Sequence, residues 1–163
     1  MNDSTQAAGA VQLDQPVPDF TLPATGDSTV TLSQLRGSHV VLYFYPKDST
    51  PGCTREGQDF RDLYDQFVRA GAVVYGISRD SLRSHENFRA KQGFPFALLS
   101  DAEEQVCRLF EVIKEKNMYG RRVMGIERST FLIDREGVLR REWRKVRVEG
   151  HAAEVLEAVR ALG

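Results

Sequence analysis

The chain predicts an α/β fold, a central mixed sheet flanked by helices. Three observations carry this. An apolar run at residues 40–45 reads as a buried strand, a helical face follows at Phe60, Leu63, Tyr64, Phe67 and Val68, and a second apolar run lies at 72–78. Strand, helix and strand in that order make a crossover unit, which requires parallel pairing. Residues 129–134 and 138–146 flank the turn Arg135-Glu136-Gly137 and read as an antiparallel hairpin. A last helix over 151–162 has Val155, Leu156, Val159 and Leu162 on its apolar face.

The elements follow in order. Residues 1–12 are small and polar and read as a flexible tail, leaving one domain over 13–163. Prolines at 16, 18 and 23 confine the next segment to an edge strand. With the turn at 25–28, residues 17–22 and 29–32 are expected to pair as an extra N-terminal hairpin. Residues 33–36 make one helical turn before Gly37. The run at 40–45 stops at Pro46, and a polar loop leads to Cys53 in the first turn of the next helix, closed by Gly71. After the strand at 72–78, Asp80 or Ser81 caps a helix over 82–92, with Leu82, His85 and Phe88 on one face and Gly93 ending it. His85 is expected to be a partly exposed face residue. Residues 96–99 form a short strand. Asp101 and Glu104 suggest a capping box for a helix carrying Val106, Leu109 and Phe110. Residues 111–127 read as a long loop, and connections of that length are more often functional than idle.

Composition narrows the function. The chain has 163 residues, 41% hydrophobic and 28% charged, with a net charge of −1. That balance offers no electrostatic case for nucleic acid or an anionic membrane. Arg140, Arg141, Arg144, Lys145 and Arg147 cluster around Trp143, a pattern that single-stranded nucleic acid uses. A charged edge strand protected from pairing accounts for it better. No apolar run reaches membrane-spanning length, and the N-terminus lacks a secretory h-region. Two cysteines make no disulfide framework, so a reducing compartment, the cytoplasm, is expected. His39, His85 and His151 match no metal spacing, and no glycine-rich phosphate loop joins a strand to a helix. Neither a metal nor an organic cofactor is expected.

Cys53 is the chemically pointed residue. First-turn N–H groups lack intrahelical partners, and the helix end carries partial positive charge. Both favour thiolate over thiol. The helix end supplies roughly 0.3–1 kcal/mol, less than one pKa unit at about 1.4 kcal/mol. A free thiol with a pKa near about 8.5 needs more than that. An arginine from elsewhere in the chain would supply it.

Pro46-x-x-x-Thr50-x-x-Cys53, within YFYPKDSTPGCTREGQDFRD, resembles the peroxidatic motif of the peroxiredoxins, in particular their Q or bacterioferritin-comigratory branch. The similarity continues through GISRDS, FALLSD, KNMYG and ERSTFLID, covering nearly everything after about Leu13. The resemblance implies a thioredoxin-like topology. It implies a thiol peroxidase for hydrogen peroxide and organic hydroperoxides, in which Cys53 becomes a sulfenic acid, Thr50 and Arg128 orient the peroxide, and Pro46 limits solvent. Met118-Tyr119-Gly120 resembles a family loop near the active site. Glu56 matches a frequent family position, although an acid favouring the helix dipole explains it more simply.

The resemblance places a resolving cysteine at one of two positions, and here those hold Gln58 and Arg89. The other cysteine, Cys107, is read as structural. The expected cycle therefore uses one cysteine, with thioredoxin, glutaredoxin or a small thiol as reductant and the protein a monomer. A two-cysteine cycle through Cys107 is the alternative. A thiol–disulfide oxidoreductase would show C-x-x-C, which Cys53-Thr54-Arg55-Glu56 lacks. A binding or holdase module with a relic site is the non-enzymatic alternative.

Overall fold

A computed structural model describes residues 10–163. Of the expected tail, residues 1–9 lie outside the described residues, while Val11 is buried in the core. Among the described residues nine strands follow in chain order: β1 (Thr21–Ala24), β2 (Ser28–Thr31), β3 (His39–Phe44), β4 (Ala72–Ser78), β5 (Leu98–Ser100), β6 (Ile113–Met118), β7 (Arg121–Ile126), β8 (Ser129–Ile133) and β9 (Leu139–Arg144). The helices are α1 (Pro51–Arg69), α2 (Leu82–Gln92), α3 (Gln105–Leu109) and α4 (His151–Leu162), with one 3-10 turn at Leu32–Leu35. Seven strands form one sheet in the order β2-β1-β5-β4-β3-β8-β9, and β6 and β7 pair separately. β3 runs parallel to β4 and antiparallel to β8. This is the mixed, thioredoxin-like sheet with added N-terminal strands that the sequence led one to expect.

Alternation along β3 divides the core. Val40, Leu42 and Phe44 face one side, with Phe20, Cys107, Phe110, Phe131 and Ile133. Val41, Tyr43 and the following Tyr45 face the other, with Cys53, Phe60, Phe67, Phe88, Val155 and Val159. Thus α1, α2 and α4 cover one face, and α3 with the N-terminal segment covers the other. Two glycines allow close approach on the α1 side. A Cβ at Gly57 would lie 2.3 Å from Phe94, and one at Gly76 would lie 2.8 Å from the Tyr43 ring.

Several expectations need correction. Residues 111–127 are not a loop: β6 and β7 form a hairpin from Ile113↔Ile126 to Met118↔Arg121, turning at Tyr119 and Gly120. Their alternating pattern is weak because both faces are largely exposed. Asp101 and Glu104 form no capping box. Glu104 is itself the residue before α3, in a left-handed conformation, and Asp101 Oδ2 instead accepts from the Cys107 amide. Val68 and Leu162 are exposed rather than core. The N-terminal hairpin is shifted, pairing Thr21–Ala24 with Ser28–Thr31, and β5 begins at Leu98. His85 is fully buried, not a half-exposed helix residue.

Candidate active site

The site forms where β3 ends. Pro46 follows the strand and is half-buried, and the loop turns through Ser49, whose φ of +64° is unusual for a side chain other than glycine. Thr50 occupies the N-cap of α1 in an extended conformation, with Pro51 opening the helix. Its hydroxyl makes no cap bond. It donates instead to the Lys47 carbonyl at 2.8 Å, closing the loop on itself. Cys53 falls three residues past the cap, 1% exposed, as a free thiol.

Arg128 arrives through sheet register. Phe44, the last residue of β3, pairs with Ser129, so the residue before β8 stands beside the end from which the loop departs. The Val146 amide holds the Arg128 carbonyl at 3.0 Å. The Arg128 Nη2 donates to Cys53 Sγ at 3.5 Å, and Nη1 donates to Glu56 Oε1 at 2.6 Å. Gly52 lies under this guanidinium, where an added Cβ would come within 3.0 Å of Nη2. Cys53, Glu56 and Arg128 therefore form one buried group, assembled from a helix start and a strand start 75 positions apart.

Glu56 is the residue the sequence reading undervalued. It stands in the second turn of α1, 1% exposed, as the buried partner of Arg128 rather than simply an acid favouring the helix dipole. Burial raises its carboxyl to about 7, against the lowering effect of Arg128. Burial works against the charge of Arg128, but Glu56 and Cys53 outweigh it and hold the guanidinium above its ordinary value. The signal in the sequence was the interval of three between Cys53 and Glu56, which puts both on one side of a helix.

The other expected residues divide. Pro46 and Thr50 belong to the loop that leads into Cys53. Cys107 does not join them. It is completely buried on the opposite face of the sheet, and burial, with Asp101 beside it, pushes its thiol up beyond the ordinary range. Met118 and Tyr119 are exposed at the tip of the β6–β7 hairpin. The Arg140–Arg147 cluster lies on the edge strand β9 and beyond. Arg140 is paired with Asp14 and Asp134, and Arg144 donates to Glu142 and to the Phe110 and Glu111 carbonyls. Arg141 lies over Trp143, 4.9 Å from its ring centroid. No helix among the described residues is long and apolar enough to cross a membrane.

Comparison with known proteins bears on this geometry. The AhpC/TSA family model matches residues 13–142. The chain is 56% identical over 151 residues to peroxiredoxin Bcp of Xanthomonas campestris, covering 91% of this chain and 94% of that protein. It is 48% identical over 150 residues to peroxiredoxin Bcp of Bacillus subtilis, covering 92% and 96%. A solved structure of the Xanthomonas campestris bacterioferritin comigratory protein, described for its alkyl peroxide reduction activity, superposes with a TM-score of 0.87 at 53% identity, covering 93% of this chain and 98% of that one.

Proposed function

The chain belongs to the AhpC/TSA family as a peroxiredoxin of the Bcp or Q type, and from that premise we propose that Cys53 reduces hydroperoxides in a one-cysteine cycle completed by an external thiol. The observation that carries the reading is Arg128 bridging the Cys53 sulfur and the Glu56 carboxylate.

Hydrogen-bond direction supports a division of roles. Thr50 already donates its proton to Lys47, so toward a peroxide it acts as an acceptor for the terminal O–H. Arg128 has only donors, so it serves the other oxygen, where negative charge develops. The Cys53 thiolate attacks the terminal oxygen. The S–O bond forms as the O–O bond breaks, leaving a sulfenic acid and an alkoxide or hydroxide that takes a proton. A reducing thiol then attacks the sulfenic sulfur and releases water. A second thiol cleaves the mixed disulfide and returns Cys53. Fixed donors in a site closed to water stabilise the leaving oxygen without reorganising, which typically contributes about 2.7–4 kcal/mol per donor.

The position of Cys107 supports the external reductant. A disulfide needs Cα atoms within about 7 Å and converging Cβ vectors. Cys53 and Cys107 are packed into different halves of the core, with the sheet between them. Gln58 donates to Gln92 at 2.9 Å and Arg89 to the Phe96 carbonyl at 2.9 Å, so both positions where the family resemblance would seat a resolving cysteine make structural contacts instead. Thioredoxin, glutaredoxin or a small thiol fits the reductant role. Two free cysteines suit a reducing compartment, such as the cytoplasm.

Intact mass spectrometry after one equivalent of hydrogen peroxide, without reductant, tests the reading. One added oxygen on Cys53, with Cys107 untouched, is expected. Loss of two hydrogens in the monomer would replace the one-cysteine cycle with a Cys53–Cys107 bridge. Cys53→Ser should abolish peroxide consumption, and retained turnover would exclude Cys53 as the nucleophile.

A further inference from the structure

Behind the catalytic loop lies a buried polar network that the peroxide chemistry does not use directly. Asp48, between Pro46 and Thr50, has a side chain only 2% exposed. Its Oδ1 accepts from the Tyr45 hydroxyl at 2.7 Å. Its Oδ2 accepts from the Ser84 hydroxyl at 2.8 Å and is hydrogen-bonded to His85 Nδ1 at 2.7 Å. The Asp48 amide donates to Asp80 Oδ2 at 2.9 Å, and Asp80 is itself held by the Ser78 hydroxyl at 2.6 Å. His85 Nε2 lies 2.9 Å from the Leu99 carbonyl. The Leu99 carbonyl only accepts, so Nε2 donates to it, and Nδ1 is the ring nitrogen paired with Asp48. Asp48, Asp80 and His85 converge in the manner of a cation site. Each already has a hydrogen-bonding partner inside the network.

We propose that Asp48, Ser84 and His85 form a positioning clamp that sets the catalytic loop, and through it Thr50 and the first turn of the Cys53 helix, for attack on peroxide. The loop needs such a hold. Ser49 sits in a left-handed conformation that its side chain disfavours, and the local bonds, Thr50 to Lys47 and Tyr45 to Asp48, do not tie the loop to the rest of the fold. The clamp comes from elements far along the chain: the turn after β4 through Asp80, α2 through Ser84 and His85, and β5 through Leu99. Buried charged networks of this kind are strong when complete and costly when one partner is removed. Misplacing a reacting group by about 1 Å can cost on the order of 100-fold in rate. None of the clamp residues needs to touch the peroxide. They act by fixing the Thr50 acceptor relative to Cys53.

Two replacements of His85 separate positioning from general support. In His85→Asn the side-chain amide stands where Nδ1 stands and keeps a donor to Asp48. In His85→Gln the amide reaches toward Leu99 and leaves Asp48 without that donor. Single-turnover oxidation of Cys53 by hydrogen peroxide, followed by stopped flow, should slow by roughly 10- to 100-fold in His85→Gln and stay within a few-fold of wild type in His85→Asn. Amide hydrogen exchange over residues 47–50 should accelerate in the first and not in the second. Equal rates in the two variants, or unchanged exchange in His85→Gln, would overturn the clamp. Should neither variant fold, Tyr45→Phe keeps the ring and removes one donor from Asp48. It should slow oxidation several-fold, and a wild-type rate would count equally against the clamp. The inference rests on the peroxidase reading. A wild-type protein whose Cys53 is never oxidised would end that reading, while the exchange comparison would still decide whether the clamp holds the loop.

Discussion

Glu56 keeps a carboxyl where water cannot reach it, and among the described residues its carboxylate pairs only with Arg128, which also donates to Cys53 Sγ. Raised to about 7, it binds its proton more tightly folded than unfolded. The stability it contributes is therefore present below its unfolded value and is lost as pH rises through about 7. The displacement corresponds to something on the order of 3 kcal/mol. His151 acts with the opposite sign. Burial depresses it to about 4, so its contribution is present above the unfolded value and is lost as pH falls through about 4. Comparing wild type with Glu56→Gln cancels that second effect. Between pH 5 and 8, denaturation midpoints of wild type should fall relative to the variant. Parallel profiles would remove the buried carboxyl from the account of stability.

At the scale of the element, α1 is a compromise between helix formation and close approach. Glycine in a helix interior costs about 0.8–1.0 kcal/mol against alanine, yet Gly52 and Gly57 both lie in its first two turns. Gly57 lets the helix settle on the buried Phe94 ring. Gly57→Ala would gain at most that propensity. The new Cβ would meet Phe94 at 2.3 Å, and overpacking of a core typically costs about 1–3 kcal/mol. Urea denaturation should therefore show a net loss of stability, and a net gain would mean that the ring moves aside freely. Gly52 leaves the Arg128 guanidinium room beside Cys53, since an added Cβ would come within 3.0 Å of Nη2.

For the whole molecule, the decisive feature is the sheet that separates the two thiols. Cys53 shares its half of the core with α1, α2 and α4, and Cys107 is enclosed with Phe110, Phe131 and the N-terminal segment. Joining them would require unpacking one face. Cys107→Ala should therefore retain peroxide turnover with an external thiol, at a stability loss on the order of 1–2 kcal/mol for a small buried side chain. Loss of turnover in a variant that remains folded would return Cys107 to the catalytic cycle. The same sheet explains the basic run on β9. It is an edge strand whose arginines are mostly paired, in keeping with protection of that edge.

Local pattern determined much of this protein. Apolar runs long enough to be buried strands, the helical period after Cys53 and the glycines at 71 and 93 are properties of neighbouring residues, and those elements stand where their periodicity placed them. The Pro46–Thr50–Cys53 spacing likewise lies within one strand–loop–helix junction. What depended on distant residues was not legible. The β6–β7 hairpin has little alternation because neither face is well buried. Glu56 read as an acid favouring the helix dipole and His85 as a partly exposed face residue, because only packing reveals that Arg128 covers one and that Asp48 and Leu99 enclose the other. The fate of Cys107 was decided by which face of the sheet it occupies, and its α3 segment follows a cap that the sequence misplaced. Short-range patterning is written residue by residue, whereas burial and charge pairing arise from segments that meet only after the sheet is assembled.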